Sequence, residues 1–437
     1  TISAATDKMN VLLSFISAVL KGGEPYFNIH LRAKFGDVLL FAFVPPDHRG
    51  LFQHTQHSQF AGKSFNASGT AGLLATNTLA LNSLAPSLLA LYGDVEHTGP
   101  MEANDHRLKI SAVLKYLWTF EGHREAVRKA ATLDGREEKE NNFSFLTFAN
   151  GILNETNSAV SNSLGKLQSI KEVQEAMKDV SAWLAKPEVE RKPIEEKLAE
   201  DEQYVGSYLR MANETMDMLA YLSAEIKSPF LAPELLGRLG STLNSIMVKL
   251  AGRGGLNLKV DNPEKYHFRP KVMLVQIIKV YLNMGGEEEF IEEVAKEFAE
   301  DFYEENVLHK AGSILRKHNL MDPTELDEWN SVVAKIIEQV SLARENGQFV
   351  DDVPDEFTCP LLMDIMRNPV KLADKGPIVD LNSIKQHLLN SGKNPYTGED
   401  LTVEELIPVP ELKARIDAWV AEQREKVRAG SHPAGGN

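Results

Sequence analysis

The stretch from Phe357 to Trp419 has the punctuation of a small α+β domain and contains the only cysteine of this 437-residue chain, Cys359. Domains of roughly 70 residues bury little apolar surface and commonly add a metal or disulfides. One cysteine supports neither a disulfide framework nor the thiolate sets of a zinc cross-brace. Such a domain must be held instead by buried hydrogen bonds and ion pairs, and Asp364, Arg367, Asp380, His387 and Asn394 are the candidates for that network. Pro369 to Leu372 and Ile378 to Asp380 suit two short strands, and Asp380 can cap a helix from about Leu381 to Asn390. Gly392 then ends that helix, Asn394-Pro395 starts a loop, and a last helix opens at Pro410 with Leu412, Ile416, Trp419 and Val420 on one face. Cys359 lies between apolar neighbours in a Thr-Cys-Pro loop, with no activating base in sight, and is read as structural.

From the start to about Glu345, helical periodicity dominates. Val173, Ala176, Met177, Val180, Trp183 and Leu184 mark one amphipathic helix closed by Pro187; Phe290, Ile291, Val294, Ala295, Phe298 and Phe302 mark another. A third begins at Asp322-Pro323-Thr324-Glu325, where Asp can cap, Pro fits the first turn and Glu completes a capping box. Its apolar face follows through Leu326, Trp329, Val332, Val333, Ile336, Ile337 and Val340. Striped helices joined by polar breaks, such as Asp134 to Asn141 and Lys186 to Glu196, predict helix pairs stacked in layers, an elongated α-solenoid without a fixed-length repeat.

Composition narrows the function classes. A net charge of −15 argues against nucleic-acid binding, which needs clustered Lys and Arg. Asp351 to Pro408 holds eleven Asp and Glu against five Lys and Arg, so these surroundings either attract a basic protein surface or merely solubilise. Val11 to Leu20 resembles a short signal core, yet Leu12, Leu13, Ile16, Val19 and Leu20 keep helical spacing and no cleavage site follows. The uncharged run Ser64 to Gly93 carries Asn77, Asn82, Ser83, Pro86 and Ser87, costly in lipid, so no membrane span is expected. His48, His54 and His57 near Asp47, with Asp94, Glu96 and His97, match no zinc spacing, and Gly252 to Gly255 lacks the Lys-Ser/Thr of a P-loop. No metal and no cofactor are expected.

In order and spacing, Phe357-Thr358-Cys359-Pro360-Leu361-Leu362-Met363-Asp364-Ile365-Met366-Arg367-Asn368-Pro369-Val370, Asp380 with Ile384 and His387-Leu388, Asn394-Pro395-Tyr396-Thr397-Gly398, and Leu406-Ile407-Pro408 closely resemble a U-box, a RING-like module built without zinc. The body resembles the core of the ubiquitin fusion degradation protein 2 family of ubiquitin-chain elongation factors. The resemblance rests on Asn28-(x2)-Leu31-Arg32-Ala33-Lys34, Gly93-Asp94-Val95-Glu96-His97-Thr98-Gly99, Phe143-(x4)-Phe148-Ala149-Asn150 and Leu258-Lys259-Val260-(x)-Asn262-Pro263-Glu264-Lys265-Tyr266. It implies an armadillo-like helical core over 1–345, a hinge at 346–354, a U-box over 355–427 and a disordered tail at 428–437. Members usually carry a further amino-terminal region, and this chain, which begins without Met, is expected to be a piece of a longer protein.

The resemblance further implies a ubiquitin-protein ligase with no covalent ubiquitin intermediate, acting in protein degradation, including that of endoplasmic-reticulum clients, in the cytoplasm or nucleus. The implied partners are a ubiquitin-conjugating enzyme, ubiquitin and ubiquitinated substrates, and commonly a AAA-class segregase ATPase. Position by position, Leu361 and Met363 in the first loop and Pro395 and Tyr396 in the second are the implied conjugating-enzyme groove. One position departs from the pattern: Gly398 stands where most members place the Arg that bridges conjugating enzyme and donor ubiquitin, with Lys393 the nearest substitute. That departure keeps a second class open, a non-catalytic α-solenoid adaptor with a degenerate U-box.

Overall fold

The computed structural model describes residues 2–22, 28–52, 67–95, 100–132, 143–252, 260–299, 306–347, 353–361, 365–372 and 376–430. These divide into two compact units, one formed by Thr1–Phe230 with Ser245–Met284, the other by Leu231–Asn244 with Gly285–Asn437. The first is helical: α1 (Ile2–Gly22), α2 (Ile29–Phe43), α3 (Ala67–Thr76), α4 (Thr78–Asp94), α5 (Pro100–Leu117), α6 (Glu121–Ala130), α7 (Phe145–Lys178), α8 (Val180–Ala185), α9 (Glu188–Glu225) and α11 (Pro270–Met284). Helix α10 (Pro233–Ala251) contributes its first half to the second unit. The second unit adds α12 (Glu288–Ala299), α13 (Asn306–Lys317) and α14 (Pro323–Gly347), then a small α+β module.

Side-chain bonds fix the helix directions. Thr156 Oγ1 bonds Thr215 Oγ1 at 2.7 Å while Lys166, further along α7, pairs with Asp201, earlier on α9. Those two long helices therefore run antiparallel. Gln276 Nε2 reaches the Asn213 carbonyl, and Asn283 Nδ2 reaches that of Ala220 at 2.8 Å, so α9 and α11 run parallel. The second unit repeats the pattern: Lys335 Nζ donates to the Gly285 carbonyl and Arg344 Nη2 to that of Phe298, which makes α12 and α14 parallel. Such alternation stacks helix layers, each burying its stripe against the next.

The capping chemistry at Asp322 is present, its carboxylate accepting from Glu325 N at 3.0 Å while Glu325 Oε2 accepts from Asp322 N at 3.2 Å. Along α14, Trp329, Val332, Val333, Ile336 and Val340 are buried, with Leu326 and Ile337 at the margin. Phe290, Ile291, Val294, Ala295 and Phe298 are buried on α12, and Phe302 lies outside the described residues. The stripe from Val173 to Leu184 is different. Asp179 breaks it by capping α8 through a bond from Ala182 N, and of its apolar residues only Trp183 is buried, with Val180 and Leu184 exposed. Nor is Lys186 to Glu196 a break throughout, because α9 starts at Glu188 and carries Pro193 within it. Within the uncharged run, the described residues form two helices, bent by 92° between Thr70–Thr76 and Thr78–Asp94, and no single described helix is long and apolar enough to cross a membrane.

The module is a three-stranded antiparallel sheet, order β2-β1-β3, with β1 (Pro369–Leu372), β2 (Ile378–Asp380) and β3 (Leu406–Pro408), flanked by α15 (Leu381–Ser391) and α16 (Pro410–Gly430). Val370 faces Val379 on one side and Pro408 on the other. Phe357, Cys359, Met366, Val370, Leu372, Val379, Ile384, Leu401, Leu406, Leu412 and Ile416 make its core. Trp419 and Val420 pack against it, and Trp419 meets the Phe357 ring edge-on with centroids 6.0 Å apart.

In the second unit, Trp329 is fully buried, and a β-carbon on Gly312 of α13 would stand only 3.1 Å from its ring. Truncating it opens a large cavity. Trp329→Ala is expected to destabilise this unit by about 3–5 kcal/mol, measured as a shift of the denaturant midpoint.

Candidate functional site

The site is built on two loops at opposite ends of α15. The first leaves Phe357 and returns at Met366, whose N–H donates to the Phe357 carbonyl at 2.8 Å, while Thr358 and Ile365 pair as an antiparallel bridge. The second is pinched by the same device between Lys393 and Asp400. Each loop thus has a hydrogen-bonded neck.

Asp380 anchors the first loop. Its Oδ2 accepts the N–H groups of Arg367 and Asn368, each at 2.8 Å, and its Oδ1 caps α15 through Asn382 N at 2.9 Å. Its own N–H donates to the buried Cys359 Sγ at 3.3 Å. Arg367 joins through its backbone, since its carbonyl also accepts from Lys413 Nζ of α16 at 2.9 Å. Nothing local in the sequence marks Lys413 for that role.

Asn394 anchors the second loop, and it is buried. Its Oδ1 accepts from Tyr396 N at 2.9 Å, its N–H donates to the Glu399 carbonyl at 2.8 Å, and its carbonyl accepts from Gly398 N at 2.9 Å. A side chain that bonds the backbone two residues on is an Asx turn, the reason Asn suits a loop start. Gly398 completes the turn at φ +73°, in left-handed backbone that favours glycine. His387 ties this loop back to the helix, its Nε2 lying 2.9 Å from the Lys393 carbonyl and 3.0 Å from Ser391 Oγ. Gly392, also left-handed, closes α15 by donating to the Leu388 carbonyl. The candidate network is therefore two anchors, Asp380 and Asn394, joined by one helix, with His387 on the second; Asp364 lies outside the described residues.

Of the candidate groove residues, Tyr396 is 47% exposed, Pro395 is partly buried, and Leu361 is partly buried against the module core. Met363 lies outside the described residues. The Tyr396 phenol is pushed above its ordinary pKa, first by partial burial and second by the Cys359 sulfur. Val403, and Ile407 of the Leu406-Ile407-Pro408 motif, add exposed apolar surface to the module. An exposed aromatic on a rigid turn suits a small, anchored, reversible contact. The His48 ring lies against that of Tyr116, centroids 5.0 Å apart and tilted by 45°, while His54, His57 and His97 lie outside the described residues.

Replacing Asp380 by Ala removes the cap and strands two loop amides. A loss of about 3 kcal/mol or more is expected, enough to unfold the module, with Asp380→Asn milder because one acceptor oxygen remains. Amide hydrogen exchange at Arg367, Asn368 and Asn382 checks it: unchanged protection in the Ala variant contradicts the anchor.

Comparison with known proteins places these observations. The family model described as ubiquitin elongating factor core matches residues 1–337, and the model for the U-box domain matches residues 353–425. A probable ubiquitin conjugation factor E4 of Arabidopsis thaliana is 30% identical over 427 residues, covering 97% of this chain and 38% of that protein. The ubiquitin conjugation factor E4 of Schizosaccharomyces pombe is 28% identical over 95% of this chain, and the E4 ubiquitin-protein ligase UFD2 of Saccharomyces cerevisiae 27% over 96%, covering 39% and 42% of those proteins. The chain therefore spans about two fifths of the length of these relatives. Since the first match takes in well over half of the 437 residues, the chain belongs to the ubiquitin elongating factor core family, with a U-box domain as its carboxyl-terminal module.

Proposed function

We propose that the chain is a U-box ubiquitin-protein ligase acting as a ubiquitin-chain elongation factor. It docks a ubiquitin-loaded conjugating enzyme and promotes attack by a lysine amine, of a substrate or of pre-attached ubiquitin, on the thioester carbonyl. An isopeptide bond forms, the carbon–sulfur bond breaks, and the conjugating enzyme leaves as a free thiol. The chain's contribution is proximity and selection of a reactive donor arrangement. Its only thiol, Cys359, is buried and accepts the Asp380 N–H, which suits structure and not ubiquitin carriage.

The observation that carries this proposal is Tyr396, held out on a turn that Asn394 fixes, beside Pro395, with Leu361 partly exposed on the first loop. Leu361 is shared between core and surface, so its truncation also costs stability. Membership of the family supports an extension, work alongside a AAA-class segregase ATPase within the ubiquitin-proteasome pathway of the cytoplasm or nucleus.

With ubiquitin, activating enzyme and a panel of conjugating enzymes, the chain is expected to build ubiquitin chains with at least one of them. Tyr396→Ala is expected to slow thioester discharge by roughly thirtyfold, the effect of losing an anchor worth about 2 kcal/mol, with the melting temperature unchanged. A folded Tyr396→Ala variant that ligates normally removes the docking proposal, and a wild-type chain silent with every conjugating enzyme favours the adaptor. Gly398 bears on the same choice, since its position offers no donor. Gly398→Arg has open space around its β-carbon but keeps left-handed backbone, at a cost of about 1 kcal/mol. It is expected to raise single-turnover discharge, and an unchanged rate would assign the bridging role elsewhere, Lys393 first.

A further inference from the structure

We infer that Lys385 and Glu234 form a clasp that sets the orientation of the U-box module and makes Lys385 a positioning residue for chain extension. Lys385 Nζ lies 2.7 Å from Glu234 Oε1, across 151 residues of sequence and within the second compact unit. Lys385 belongs to α15 of the module, and Glu234 to the first turn of α10 in the helical part. Their side chains are only 27% and 16% exposed, well below the ion pair of Arg415 with Glu356 within the module, at 56% and 54%.

Both ends of the clasp are stiff. Glu234 sits where the field of a helix amino terminus favours a carboxylate. Its helix is pinned to α12 by Asn244, whose Nδ2 donates to the Val294 carbonyl at 3.0 Å and to Glu297 Oε2 at 2.9 Å. Gly237 and Gly240 let the same two helices approach, since a β-carbon at Gly237 would stand 3.1 Å from Glu293 Oε1. On the other side, Lys385 follows the fully buried Ile384 on the helix whose two ends carry both loops. A grip on Lys385 is therefore a grip on both docking loops.

Among the described residues the strands and helices of the module pack mainly on one another, not on the helices of the body. The helical part and the module follow one another along the chain, and a side-chain contact far in sequence from their junction restrains how the two are arranged. A partly buried ion pair weights the clasped arrangement by only about fivefold, and salt lowers the weighting. The clasp is accordingly reversible, so a docked enzyme is held at one distance from the acceptor when it is shut and reaches others when it opens.

The link to chain extension rests on the ligase proposal, and the test separates the two. The full chain and its Lys385→Glu, Glu234→Lys, Lys385→Arg and doubly reversed variants are compared by small-angle scattering, by discharge of loaded conjugating enzyme onto free lysine, and by chain-length distribution. Each single reversal is expected to enlarge the radius of gyration and change the chain-length distribution, while the double reversal and Lys385→Arg restore both. Discharge onto free lysine should stay within twofold throughout, because the loops are intact. Scattering that ignores the single reversals, or a double reversal that fails to restore it, overturns the clasp. A wild-type chain that discharges nothing defeats the ligase proposal while the scattering comparison still decides the clasp.

Discussion

One carboxylate organises the module. Asp380 gives one oxygen to two amides of the returning first loop and the other to the first turn of α15, while its N–H meets Cys359. Zinc cross-braces achieve comparable order with four ligands per ion. Here a single side chain joins loop, strand and helix, and Asn394 repeats the principle at the far end. The cost of misplacing either is high because the amides they satisfy have few other partners, and a small core offers little reserve.

That economy explains why so much of the module could be read from sequence. Strands at Pro369–Leu372 and Ile378–Asp380, the Asp380 cap and the Gly392 stop all follow from chemistry confined to a few neighbouring residues. The third strand, Leu406–Pro408, escaped. It has three residues, ends in proline and exposes Ile407, so neither alternation nor propensity marks it, and only pairing with Val370 to Leu372 makes it a strand. Lys413 escaped for the same reason, since its acceptor is 46 residues away. Tyr396 could be named from the motif, but its exposure depends on how Asn394 folds the turn.

In the helical part, periodicity located stripes better than boundaries. On α12 and α14 the apolar positions are the buried ones, because each helix lies flat against a neighbour. Val173 to Leu184 obeys the same pattern and is mostly solvent-facing, interrupted where Asp179 starts a new helix. A stripe states what could be buried. Whether a partner covers it is decided by the layer beside it, which no window of residues contains.

Helix α15 hands one loop to Asp380 at its start and the other to Gly392 and His387 at its finish. Its eleven residues therefore act as a ruler of about 16 Å between the two loop anchors. Substitutions along its outer face leave that ruler intact. Adding or deleting a single residue would move one anchor by about 1.5 Å and turn it by about 100° relative to the other. Length, more than composition, is what this segment has to conserve.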